Sequence, residues 1–344
     1  MRSRPSVVVW DITYACPLRC SHCYSESGRR PKRQLDRGDL ERVADAIVSL
    51  GPEEVAMAGG EPLLVPGMLD AAARIADAGI ALSVYTSGWT LRASHIPALV
   101  RNFSRIHVSI DGATALVHDR IRGRAGSFER AEKALAVLDE AARCAEETAP
   151  WRFGIDWVAV RSNFEQLERM CSEFVPRFPH LAFLHVGAAV PSGLASRPGF
   201  AASELLSDAQ ERLLSDPGFR GRLRDLVPAS VRLSTTDNRV LQMRPDQIER
   251  GAVMAGMQIE PDGAVRAMPI YEGTVGSLLT DDPAELWRRA VARWSHPVVT
   301  RALSGAYTMQ AWAQAARRID RHFGSQEVRD RIDRRPDFTA RPAS

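Results

Sequence analysis

Three cysteines stand within eight residues, in the run Cys16-Pro-Leu-Arg-Cys20-Ser-His-Cys23. A single loop can aim all three thiols at one point without help from the rest of the fold. Their number is informative. A closed zinc site takes four ligands, and an electron-transfer iron-sulfur cluster also usually takes four cysteines. Three thiolates leave one metal position open, and on an iron-sulfur cluster that position suits a chelating small molecule. The spacing therefore predicts chemistry at a metal. The competing reading is a zinc site, with Cys20 and Cys23 at C-x2-C spacing and a distant histidine as fourth ligand. Cys144 and Cys171, the two other cysteines, fall in helical patterns and read as small buried core residues.

The elements around this loop follow a repeating grammar. Before it, residues 6–10 form a β-branched and aromatic run with no helical period, which reads as a short buried strand. After it, Leu40, Val43, Ala44, Ile47 and Leu50 recur at helical spacing, and Gly51-Pro52 is a stop signal. Strand patterns follow at 54–58, 80–85, 105–110, 153–160 and 182–187, with helical patterns at 67–78, 95–101, 128–147 and 164–175 between and after them. Six strands alternating with helices predict an α/β fold with a parallel sheet, either open or curled as a barrel. The polar and glycine-rich clusters at 13–24, 59–62, 86–88 and 111–112 each lie just past a strand, so they should converge on one mouth.

Composition sets the class and little more. The 344 residues are 45% hydrophobic and 25% charged, as in ordinary globular proteins, and they suffice for two domains or for one large domain with an extension. A formal charge of +3 argues against a dedicated nucleic-acid binder. No apolar run approaches the roughly 18 residues that cross a bilayer. An odd number of cysteines, three of them clustered, suits a reducing compartment, so the expected location is cytoplasmic with no membrane association.

The CxxxCxxC loop after a first strand, followed by Gly59-Gly60-Glu61-Pro62 after a second, resembles the radical S-adenosylmethionine (SAM) enzymes. The resemblance runs in order from about residue 6 to 190, through Tyr85-Thr86-Ser87-Gly88, Val108-Ser109-Ile110-Asp111-Gly112 and residues 118–129. It implies a partial (β/α)6 barrel. It also implies one 4Fe-4S cluster on Cys16, Cys20 and Cys23, with the amino and carboxylate groups of SAM on the fourth iron. Gly59 and Gly60 would admit the cofactor to the backbone beside Pro62, and Glu61 would lie near the SAM ammonium. Ser109 and Asp111 become candidates for the ribose or methionine end, with Thr86 and Ser87 on the neighbouring strand tip. Arg122 would pair with the carboxylate, and His22 and Tyr24 would lie near the adenine and the cluster edge. The family's chemistry is reductive: an external donor of flavodoxin or ferredoxin type supplies an electron, SAM is cleaved to methionine and a 5'-deoxyadenosyl radical, and that radical abstracts hydrogen from a substrate.

Beyond residue 230 short strand and turn signals replace the alternation, as in 231–234, 257–260, the turn 261–263, and 265–268. The chain thus divides into a barrel domain at 1–230, a small α+β extension at 231–323, and a charged tail at 324–344 open to disorder. The extension resembles the SPASM module of peptide-modifying radical SAM enzymes, but cysteines expected near Val253, near Met268 and between 304 and 316 are missing. With no cysteine after Cys171, a single cluster per chain is expected. The resemblance implies a ribosomally made peptide as substrate. The alternative is a small-molecule natural-product intermediate such as a sugar; the alternative of another class is a catalytically inactive cluster-binding or regulatory protein. Asp156, Trp157 and His185 stand where side chains can enter a barrel, and the arginine runs at 317–318 and 329–335 read as solvated faces.

Overall fold

The computed structural model describes residues 3–146, 149–250 and 255–339. Its backbone is one ten-stranded sheet. The strands are β1 (Val7–Thr13), β2 (Glu54–Gly59), β3 (Ala81–Thr86), β4 (Arg105–Ser109), β5 (Arg152–Ala159), β6 (Phe183–Ala188), β7 (Arg232–Thr236), β8 (Gly256–Ile259), β9 (Ala264–Arg266) and β10 (Thr274–Ser277). Their spatial order is β10-β9-β8-β1-β2-β3-β4-β5-β6-β7. Neighbours from β8 through β7 pair in parallel, whereas β9 and β10 are antiparallel. The six strands read from the sequence are β1 to β6, in that order, and the sheet is of the mostly parallel α/β type.

The helices are amphipathic and lie between the strands. Those between β1 and β5 are α1 (Arg37–Leu50), α2 (Met68–Asp77), α3 (Ile96–Asn102), α4 (Ala115–Arg122) and α5 (Ser127–Arg143). In α1 the Asp36 carboxylate accepts from the Asp39 amide at 2.9 Å, capping the first turn, and Leu40, Val43, Ala44, Ile47 and Leu50 form the buried face. Burying each such leucine or isoleucine contributes about 2 kcal/mol. Strand residues alternate accordingly: Leu82, Val84, Ile106 and Val108 are buried in the apolar core. Ser83 instead donates to Glu54 at 2.9 Å, and Tyr85 stacks on His107, which meets Phe183.

Several expectations are corrected. The strand placed in the second module, 231–234, is β7 and pairs in parallel with β6. The helix expected at 164–175 is broken into short turns and a π-turn at Met170–Phe174, where the Val175 amide returns to the Met170 carbonyl. Pro176 lacks the amide an α-helix would need there. The charged tail is not frayed through 339: it forms a helix at Gln326–Asp333, and Arg331 and Arg335 reach the buried Glu26 at 3.1 and 2.7 Å instead of facing water. Cys144 is exposed; Cys171 is buried, as expected. Val253, the end of the helix expected at 128–147, and residues 340–344 lie outside the described residues.

Candidate cofactor site

The cysteine loop leaves the end of β1 and is pinned from below by β2. The Gly60 and Glu61 amides donate to the carbonyls of Thr13 (2.6 Å) and Ala15 (2.9 Å). A Cβ on Gly60 would stand 2.1 Å from the Ala15 oxygen, and Gly59 sits at φ 106° against the Thr13 carbonyl, so both glycines let the loop lie directly on the strand end. From the other side, the turn at 191–194 closes on Cys23: Gly193 has φ 51° with the Tyr24 carbonyl where its Cβ would be, and the Leu194 amide donates to the Cys23 carbonyl at 3.0 Å. The three cysteines are partly buried. Burial pushes the Cys16 and Cys20 thiols up, Cys20 to about 11; Cys20 and Cys23 raise Cys16 further, while Arg122 opposes the rise at Cys20.

Beyond the thiols is a charged group centred on Asp111. This residue follows β4 and is fully buried. Its carboxylate takes Arg122 Nε at 2.7 Å and His22 Nε2 at 2.8 Å on one oxygen, and the Val158 amide at 2.9 Å on the other. Burial alone would raise its pKa, but Arg122 and His22 hold the carboxyl well below the usual range. Arg122, also buried, brings Nη1 to 3.9 Å from the Cys20 sulfur, while its Nη2 has no hydrogen-bond partner among the described residues. His118 accepts the Asp111 amide on Nδ1 at 3.1 Å, and burial lowers its pKa to about 4.

Glu61 is fully buried beside the loop, where it contributes to raising Cys16. It accepts the Thr86 hydroxyl at 2.7 Å, the Ser87 amide at 2.9 Å and the Ser87 hydroxyl. Burial raises its pKa and these donors oppose the rise. Pro62, also buried, opens the short turn after it. Ser109 ends β4 in register with Asp156 on β5, which is in register with His185 on β6, and the His185 Nδ1 lies 2.9 Å from the Ser234 hydroxyl. Trp157 points the opposite way, into the apolar core. Tyr24 donates its phenol to Asp11 at 2.7 Å, and Gln258 of β8 donates to the other Asp11 oxygen at 2.6 Å.

The structure thus gathers Cys16, Cys20, Cys23, Asp111 and Arg122 at one mouth, with Glu61, Thr86 and Ser87 as a second group beside Cys16. The sequence reading made Asp111 a candidate for the ribose or methionine end of SAM; here its carboxylate is occupied in fixing Arg122 and His22. Sequence reasoning missed Asn163, whose amide binds the carbonyls of Asp111 (3.0 Å) and Val158 (2.9 Å), because an asparagine fifty residues away carries no motif.

Residues 10–144 match the sequence model of the radical SAM superfamily, and the chain carries a radical SAM domain there. It is 30% identical over 195 residues to the AdoMet-dependent heme synthase of Methanosarcina barkeri, covering 56% of this chain and 53% of that protein. It is 27% identical over 271 residues to the PqqA peptide cyclase of Ruegeria pomeroyi, covering 76% and 67%. The chain spans about half the length of the first of these relatives. The fold superimposes on SuiB of Streptococcus suis bound to S-adenosylmethionine, with a TM-score of 0.63 at 14% identity over 87% of this chain and 68% of that one.

The family implies a 4Fe-4S cluster and SAM, and the residues present fit them. Three thiols share one loop, and an arginine with an orphaned buried nitrogen stands beside the middle one. Among the described residues no group of three or more His, Cys, Asp and Glu is arranged around a single metal ion. That bears on the mononuclear zinc reading and not on a cluster, whose irons stand apart. No helix among the described residues is long and apolar enough to cross a membrane.

Proposed function

We propose that the chain is a radical SAM enzyme that binds one 4Fe-4S cluster through Cys16, Cys20 and Cys23 and modifies a ribosomally made peptide. With the cluster bound and reduced, the chemistry supplied is one-electron cleavage of SAM to methionine and a 5'-deoxyadenosyl radical that takes a hydrogen atom from the substrate. The protein's own residues bind, orient and exclude water. Arg122, locked by Asp111, offers its free Nη2 to an anion beside Cys20, which suits the SAM carboxylate. Glu61 offers a buried carboxylate, held by Thr86 and Ser87, to a cation such as the SAM ammonium. The lumen of the sheet, with Ser109, Asp156 and His185 in one register row, would receive the substrate.

The observation that carries this reading is the placement of Arg122 Nη1 3.9 Å from Cys20 with its Nη2 unpartnered. Support for a peptide substrate comes from the PqqA peptide cyclase likeness; the likeness to a heme synthase supports the small-molecule alternative. The test is anaerobic: reconstituted protein is reduced with dithionite, given SAM, and assayed for 5'-deoxyadenosine and methionine. Both should form, and a Cys20→Ala variant should form neither; equal yields from the two would reject the assignment.

A further inference from the structure

The outer face of the cysteine loop is covered by guanidinium groups. Arg19 donates to the Cys16 carbonyl at 3.0 Å, Arg29 to the Cys20 carbonyl at 3.1 Å, and Arg124 to the Pro17 carbonyl at 2.7 Å, and all three are exposed. Arg197 continues the row by donating to the Ser21 carbonyl at 2.9 Å. It also opens a cavity of about 650 Å³ that carries Arg317, Arg318 and Arg321 on one helix, Met309–Phe323. The acids here do not balance them. Glu26 is already shared by Arg331 and Arg335, Asp333 is paired with Arg321, and Asp337 is the other acid on the cavity wall. After burial, the chief causes lowering Arg197 to about 10 are Arg29 and Arg335, and Arg317 is depressed by Arg335, Arg318 and Arg321. Like charges crowd one another in a chain whose total charge is only +3.

Resting on the cluster reading above, we infer that this arginine face is the docking surface for an acidic, low-potential one-electron donor protein of flavoprotein type. Three features favour that partner. The patch lies on the backbone that carries Cys16 and Cys20, so a donor seated there approaches the cluster by a short path, and electron transfer falls steeply with distance. Arginine forks match carboxylates on a partner surface. Concentrated positive charge steers an acidic partner to a productive orientation and speeds encounter. The step moves one electron from the reduced donor to the oxidised cluster; no bond forms or breaks, and the donor leaves oxidised by one electron.

The experiment uses full-length reconstituted protein and an Arg318→Glu/Arg321→Glu variant, whose exposed side chains touch none of the cysteines. Reduced flavodoxin is the probe donor, with dithionite as the control. Titration should show flavodoxin binding that weakens with added salt and is weakened roughly tenfold or more in the variant. Flavodoxin-driven SAM cleavage should fall similarly while dithionite-driven cleavage stays unchanged. Unchanged flavodoxin binding in the variant overturns the proposal, as does loss of affinity for a single-stranded oligonucleotide instead. Absence of cleavage with dithionite in the parent protein would count against the enzyme reading, and the binding titration decides the docking surface independently.

Discussion

Arg122 and Asp111 meet at 2.7 Å, the carboxylate fully buried and the guanidinium nearly so, and such a pair is expensive to break from one side. Arg122→Gln leaves the Asp111 carboxylate buried with only His22 and one amide, and should cost about 3–5 kcal/mol, read as a fall in urea midpoint. An unchanged midpoint would mean that the pair contributes nothing. Asp11 has the opposite sign. Burial pushes its carboxyl up to about 6 against hydrogen bonds from Tyr24 and Gln258. The folded state therefore prefers the protonated form, and the stability this gives is complete below the ordinary aspartate value and is lost as pH rises through about 6. Relative to Asp11→Asn, the parent should lose about 2 kcal/mol between pH 4 and pH 6.5 and level off above pH 7. Parallel stability curves for the two proteins would refute that account.

At the scale of elements, the cysteine loop is held by two contacts that tolerate no side chain. Gly60→Ala places a methyl 2.1 Å from the Ala15 carbonyl, and the neighbour is backbone, so the loop must move. Iron bound per chain after reconstitution should drop severalfold while the far-ultraviolet circular dichroism stays that of the parent. Full iron content in this variant would show that the loop is not seated by β2. Much of this level was legible in the sequence. The six strands β1 to β6 are legible because the strand face packed into the core is apolar at every second residue, as with Leu82 and Val84 or Ile106 and Val108. The π-turn before Pro176 was not legible as more than a helix, since periodicity registers which face is buried and not how the backbone hydrogen bonds are routed. Nor was the membership of β7 in the parallel sheet, because a short strand reads the same in either module.

At the scale of the whole molecule, the C-terminal residues hold the cysteine loop from outside. Arg331 and Arg335 close on Glu26, three residues after Cys23, and Arg197 ties the Pro336 carbonyl to that of Ser21 at 2.9 Å each. An Arg331→Ala/Arg335→Ala variant leaves Glu26 buried and unpaired, which should lower the melting temperature by several degrees and speed iron loss to a chelator. An unaltered rate of iron loss would show the tail to be independent of the loop. The same residues looked like a solvated charge run in sequence, because charge patterning cannot tell a guanidinium facing water from one facing a buried carboxylate. Iron quantitation should give about four irons per chain, since no cysteine follows Cys171 to hold a second cluster; about eight would contradict this.

What the sequence determined by itself was local and covalent in origin: three thiols at a spacing one loop can bring together, and alternating strands and helices whose periods dictate a parallel sheet. Those properties depend on residues within a few positions of one another. The tertiary structure decided which distant groups face the thiols. It turned Asp111 from a candidate cofactor contact into the anchor of Arg122, set Asn163 against the mouth, and drew the last helix onto Glu26. Such pairings depend on the twist and packing of the whole sheet, and no short stretch of residues encodes them.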